Sequence, residues 1–300
     1  MTTGATNTPL HFLVSLRPEQ WTKNAAVFAG LLFGGRLTEG PRYTLAAFAT
    51  FAIFCGLSGV VYLLNDVVDR TADAGHPLKR LRPIAAGQLA TSTAVAGAVL
   101  LAVICLLGAF LLSPSLAVVG GAYLALLTSY SLWLKHVVIL DVLVIAFGFV
   151  LRAVAGAVAV DVSISPWLLI CVTLLALFLG LSKRRHELTL LGGEAEGHRP
   201  ILHAYSPYLL DQMISVVTSS TVIAYTVYTT SSETAARVGS SHLTLTIPFV
   251  LYGVFRYLYL VHKEDGGGSP AAMLVTDLPL LTCVGLWTVA VGVILYQPWG

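Results

Sequence analysis

The chain has 300 residues, 56% of them hydrophobic and 11% charged, with a mean hydropathy of +0.82. Water-soluble domains carry about a quarter charged residues, so the composition excludes a soluble globular protein and predicts an all-α, polytopic membrane protein. The formal net charge of +2 singles out no partner, and no nucleic acid is expected as one.

Met1–Pro9 is polar, with neither a basic n-region nor a cleavage-type apolar stretch, so no secretory signal is expected. Met1–Thr8 reads as disordered, and His11–Glu19, which mixes apolar residues with Arg17, as a segment lying along the interface. Residues 1–20 thus form a tail and 21–300 one transmembrane domain. Apolar segments follow at Asn24–Leu37, Tyr43–Leu64, Leu89–Leu112, Ser115–Leu134, Ile139–Val160, Pro166–Leu181, Gln212–Thr230, Leu243–Val261 and Asp277–Tyr296. Most approach the roughly twenty residues that cross a bilayer, which predicts nine transmembrane helices. Asn24–Leu37 is short and Gly-rich and fits that length least well.

Of the 17 Lys and Arg residues, twelve fall on the side of the N-terminus, three on the other side and two within spans. The positive-inside rule then places the N-terminus in the cytoplasm and Gly300 outside, in the inner membrane. Tyr296, Trp287 and Trp299 suit an interfacial aromatic belt at that end. The connection with Gly192, Gly193, Gly197 and Pro200 reads as mobile. Cys55, Cys105, Cys171 and Cys283 sit singly in apolar runs and read as buried free thiols.

The chemistry gathers where the second span ends. Asn65, Asp66, Asp69 and Asp73 are spaced so that a helix stacks the three carboxylates on one face. Like charges so placed repel unless a cation lies between them. An oxygen-only set suits Mg²⁺, which completes its shell with water and substrate phosphate. Lys79, Arg80 and Arg82 follow, donors of the kind that bind phosphate. A solvated loop would also keep charges out of the bilayer, but it would not explain the helical spacing.

A second cluster, Lys183-Arg184-Arg185-His186-Glu187, closes the sixth span. Lys183 and Arg184 are read as phosphate contacts, while Arg185 serves equally well as a positive-inside anchor. Lys135 ends the fourth span and either snorkels or donates into the same cytoplasmic-side cavity. Arg152 lies thirteen residues into the fifth span, on the order of 20 Å deep. It is either a site residue or part of a buried structural pair. Arg256 snorkels or serves a site, and Asp141 either holds Lys135 or serves the site; the residues alone leave these open.

Asn65-Asp66-x-x-Asp69-x-x-x-Asp73 within nine spans resembles the UbiA superfamily of intramembrane prenyltransferases. Leu16–Asn24, reading LRPEQWTKN, is similar to its N-terminal signature, and Tyr130-Ser131-x-x-Leu134-Lys135 to its fourth-span motif. NDVVDRTADAGHPLKRLRPIAAG, LKH, LRAVAG and KRRHEL together resemble the decaprenyl-phosphate phosphoribosyltransferase branch. The prenyl-diphosphate branches carry a second DxxxD motif after the sixth span, where this chain has Lys183–Glu187, with three cations and one acid.

The resemblance implies transfer of 5-phosphoribose from phosphoribosyl pyrophosphate (PRPP) to a polyprenyl phosphate, with Mg²⁺ held by Asn65, Asp66, Asp69 and Asp73. Asp66, Asp69, Lys183 and Arg184 are expected in catalysis, and Lys23, Lys79, Arg82, Tyr130, Lys135 and Arg152 in phosphate binding. The alternatives are an aromatic prenyltransferase using a prenyl diphosphate, against which the missing DxxxD counts, and a transporter or scaffold. Oligomeric state is left open, since family members occur as monomers and as homo-oligomers.

Overall fold

The structure, a computed structural model, describes residues 8–77, 79–163, 165–191, 200–263 and 270–297. The expectations for Met1–Asn7, for Gly192, Gly193 and Gly197, and for Trp299 and Gly300 lie outside these. Among the described residues every regular element is helical. The chain divides into two compact units.

The first unit comprises residues 1–31, 41–137 and 151–162. It opens with α1 (Thr8–Ser15), a 3-10 segment (Pro18–Val27) and the start of α2 (Phe28–Phe33). α3 (Pro41–Val68) and the short α4 (Arg70–Ala74) follow, then α5 (Thr91–Leu112) and α6 (Pro114–Leu132). The second half of α7 (Leu140–Ala159) completes it. Pro41 and Pro114 open their helices, where the missing N–H costs nothing and the fixed φ is already helical. α3 is the axis of this unit. Its Phe54, Leu57 and Val61 are buried against Cys105 and Ala109 of α5, Leu116 and Tyr123 of α6 and Ala155 of α7. By contrast, Val99, Leu100, Ile104, Leu107 and Leu111 of α5 are exposed, an apolar surface suited to lipid.

The second unit comprises residues 32–40, 138–150 and 163–300. It contains the first half of α7, then α8 (Pro166–Leu191), α9 (Pro207–Thr230), α10 (Ser232–Val238), α11 (Ile247–Lys263), α12 (Pro270–Thr276) and α13 (Leu278–Tyr296). Phe178 and Leu181 of α8, Leu210 and Ile214 of α9, and Tyr257 and Leu260 of α11 form its main core. Arg256 makes a two-pronged pair with Asp277 (3.1 and 2.7 Å), and Asp277 also caps α13 by accepting from the Leu280 amide at 2.9 Å. That answers the open question about Arg256: its charge is held by a carboxylate at a helix start.

Among the described residues seven helices are long and apolar enough to cross a membrane: Pro41–Val68, Thr91–Leu112, Pro114–Leu132, Leu140–Ala159, Pro166–Thr189, His242–Lys263 and Leu278–Tyr296. The chain is a multi-pass membrane protein. Two of the nine expected crossings differ from these seven. Asn24–Leu37 is not one helix, because the 3-10 segment leads into an α2 of only six residues. α9 has the length, but its many Ser and Thr residues lower its apolar content.

The irregular entry has a steric and a polar cause. Arg17 adopts a left-handed φ of 53° directly before Pro18, which stops α1. A Cβ built on Gly156 would lie 1.7 Å from the carbonyl oxygen of Val27. Only glycine lets the 3-10 segment come so close to α7. The buried side chain of Asn24 is meanwhile held by Arg152, Ser58 and Cys55.

Candidate active site

The acidic face is built at the end of α3 in the first unit. The α-helix is interrupted at Asp69, yet the Asp69 amide donates to Asn65 O (2.9 Å) and the Asp73 amide to Asp69 O (2.8 Å). The four-residue register of Asn65, Asp69 and Asp73 therefore continues across the junction. Asp66 and Asp73 are 2% and 3% exposed, so their charges need partners.

Each carboxylate has a cationic partner. Arg82 Nη1 bridges Asp66 Oδ1 (3.2 Å) and Asp73 Oδ2 (2.6 Å). Lys135 Nζ donates to Asp69 Oδ1 at 2.6 Å. Arg17 donates to Asp66, and its guanidinium lies over the Tyr62 ring at 4.8 Å. Arg17 belongs to the LRPEQW signature but was not among the expected site residues. The signature held the signal, and the pairing across forty-nine positions was not legible from spacing. Lys135 is thereby paired with Asp69 rather than with Asp141.

Among the described residues no group of three His, Cys, Asp or Glu side chains forms a ready metal cage. The donor set nonetheless fits Mg²⁺. Asp66 and Asp73 converge on a single cationic nitrogen of Arg82, so the two carboxylates lie close enough to share one positive charge. Asp69 is more open, its side chain 30% exposed, as a ligand shared with water or phosphate would be.

The expected phosphate donors divide. Lys135 and Arg82 lie in the cluster, while Lys79 follows it, half-buried, with its amide donating to His76 Nδ1 at 3.2 Å. Lys23 is exposed on the 3-10 segment and Tyr130 half-buried near the end of α6. Arg152 is buried deep in the unit. Its Nε donates to Asn24 Oδ1 (2.6 Å), and its Nη2 to Tyr123 Oη (2.6 Å) and Ser58 Oγ (3.4 Å). These bonds tie α7 to the 3-10 segment, α3 and α6.

In the second unit, the end of α8 carries the basic cluster. The Lys183 side chain is 47% exposed, with its Nζ 3.9 Å from Glu187. Arg184 is buried, donating from Nε to Asp141 Oδ2 (2.9 Å) and from Nη1 to Glu187 Oε2 (2.6 Å). Asp141 thus serves Arg184. Arg185 pairs with Asp211, which also lies 3.2 Å from His262 Nε2.

An acidic, helix-registered face on a multi-helix membrane scaffold defines a class, and the match is direct: residues 25–278 match the UbiA prenyltransferase family, and the chain belongs to it. The chain is similar to the decaprenyl-phosphate phosphoribosyltransferase of Mycolicibacterium smegmatis, with 32% identity over 94% of this chain and 91% of that protein. Its likeness to the protein of that name from Mycobacterium tuberculosis is 34% over 93% of this chain and 92% of the relative. In fold it is similar to a UbiA homologue from Archaeoglobus fulgidus bound to GPP and Mg²⁺, with a TM-score of 0.72, 15% identity, and coverage of 96% of this chain and 100% of that one.

Proposed function

We propose that the protein transfers 5-phosphoribose from PRPP to a polyprenyl phosphate, of decaprenyl type, and releases pyrophosphate. The observation that carries this reading is that an acidic cluster ends α3 while a basic one ends α8. An enzyme that grips one diphosphate through two metal clusters needs acids in both places. Acids in one and cations in the other suit a metal-bound pyrophosphate and a separately held phosphate. The names of the mycobacterial relatives agree with it.

Asp66, Asp69 and Asp73, supported by Asn65, would hold Mg²⁺. Bound there, the metal supplies Lewis-acid neutralisation of the departing pyrophosphate. The bond from ribose C1 to the pyrophosphate oxygen breaks, C1 gains oxocarbenium character as in glycoside chemistry, and a bond forms to the lipid phosphate oxygen. That oxygen is already anionic, so no side chain has to remove a proton. Arg82 and Lys135 balance the carboxylates in the resting site and bind phosphate oxygens when substrate is present. Lys23, Lys79 and Tyr130 add donors, and Lys183 meets a substrate phosphate.

The same reading places the N-terminus and the active site on the cytoplasmic face of the inner membrane, with nine crossings and the C-terminus outside. Hydroxyls support counting α9. Thr218, Thr221 and Thr226 donate to the carbonyls of Ile214, Val217 and Val222 at 2.7–2.8 Å, so these polar groups are satisfied within the helix.

Donor choice tests the function. Purified protein offered labelled PRPP with polyprenyl phosphate should transfer label to lipid, and labelled prenyl diphosphate with an aromatic acceptor should give no product. The reverse pattern would assign the chain to aromatic prenylation.

A further inference from the structure

The two cations that open the second cluster are not equivalent. Arg184 is 3% exposed and Asp141 is fully buried, while the neighbouring Lys183 side chain is nearly half exposed. Both oxygens of Asp141 are engaged: Oδ2 accepts from Arg184 Nε at 2.9 Å, and Oδ1 accepts from the Tyr205 hydroxyl at 2.7 Å. The same hydroxyl accepts from the Ile139 amide at 2.7 Å. Ile139 has a left-handed φ of 71°, a conformation that a β-branched residue adopts only when its surroundings impose it. Burial pushes the Tyr205 phenol up to about 12, and its bond to Asp141 acts in the same direction. It therefore remains a proton donor throughout the neutral range. One chain of bonds thus joins the turn into α7, the end of α8 and Tyr205, two residues before α9.

We infer that Asp141 is a positioning residue: with Tyr205 it fixes Arg184 as an anchor, so that Lys183 is the cation of this segment presented to a substrate phosphate. The inference rests on the phosphoribosyl-transfer reading and divides the work between two residues that the sequence treated alike. A guanidinium committed to two carboxylates, Asp141 and Glu187, has its charge already balanced and reorients toward a phosphate only at high cost. A half-exposed ammonium on a flexible stem reorients readily.

The test uses the full chain in nanodiscs, with Arg184→Gln, Asp141→Asn and the two combined. Arg184→Gln strands the buried Asp141 and Asp141→Asn leaves Arg184 with Glu187 alone, whereas the combined change removes both buried charges and leaves two neutral groups able to keep one hydrogen bond. Each single variant should raise KM for one phosphorylated substrate by about tenfold, the loss expected from a charge-assisted bond. The combined variant should recover to within a few-fold of the parent. A combined variant as impaired as Arg184→Gln would make Arg184 itself the phosphate contact and overturn the inference. So would single variants that lose thermal stability while KM stays at the parent value.

A second measurement needs no turnover. With the four native cysteines buried, Lys183→Cys should react with a membrane-impermeant maleimide at least tenfold faster than Arg184→Cys. Adding Asp141→Asn should narrow that gap. Equal rates in the parent background would refute the anchor. A parent protein inactive with PRPP would instead refute the phosphoribosyl reading, and the labelling ratio would still decide the anchor.

Discussion

Arg82 joins two buried carboxylates through one nitrogen, and removing those acids should affect binding before it affects folding. Asp66→Ala or Asp69→Ala removes a carboxylate near the end of α3 and leaves cationic partners, Arg17, Arg82 and Lys135, that are partly exposed. The expected outcome is loss of turnover in protein that still elutes as a single species in detergent. EDTA should reproduce the loss and Mg²⁺ reverse it. Asp73→Ala should be milder, since that residue lies farthest along the register, beyond the end of α3. Turnover measured with and without EDTA separates the readings: full activity of both alanine variants in chelator would remove the metal from these residues. At this scale the sequence was informative about the acids, because their spacing is a local property of one helix. It was silent on their partners. Arg17 reaches Asp66 and Arg184 reaches Asp141 across dozens of positions, and no spacing rule connects residues so far apart.

The elements were legible where apolar length decides the outcome and not where packing does. α3, α5, α6, α7, α8 and α13 lie close to the predicted segments, since a long uncharged run in lipid must satisfy its backbone internally. Asn24–Leu37 departs from its prediction because contacts remote in sequence shape it, namely Arg152 on Asn24 and Gly156 against Val27. Gly156→Ala measures the second contact. Its methyl would stand 1.7 Å from a backbone oxygen, so α7 and the 3-10 segment must separate. We expect a loss beyond the roughly 1–3 kcal/mol typical of overpacking, read as a large drop in melting temperature or failure to accumulate. Gly121→Ala on α6 is the control. No atom lies within 4 Å of the added Cβ, and the better helix former should be neutral or stabilise by about 0.5–1 kcal/mol. Equal melting temperatures for the two variants would contradict the close approach.

The whole molecule joins an apolar, multi-pass helical scaffold to two charged clusters, one in each compact unit. Its composition made the membrane setting plain, and its motifs made the UbiA family plain; the division of the chain into two units was not visible in either. Nine crossings with a cytoplasmic N-terminus predict that a tag at Met1 is protected in right-side-out vesicles and one at Gly300 is accessible. Both tags on one side would return an even count and put Asn24–Leu37 or α9 outside the set of crossings. The central claim is the identity of the transferred group, and mass spectrometry of the lipid product addresses it most directly. Purified protein given PRPP, Mg²⁺ and a mixed pool of polyprenyl phosphates should yield lipids heavier by one phosphoribosyl group, with one pyrophosphate released per product. Unchanged lipid masses with PRPP, alongside prenylated acceptor when a prenyl diphosphate is supplied, would contradict it.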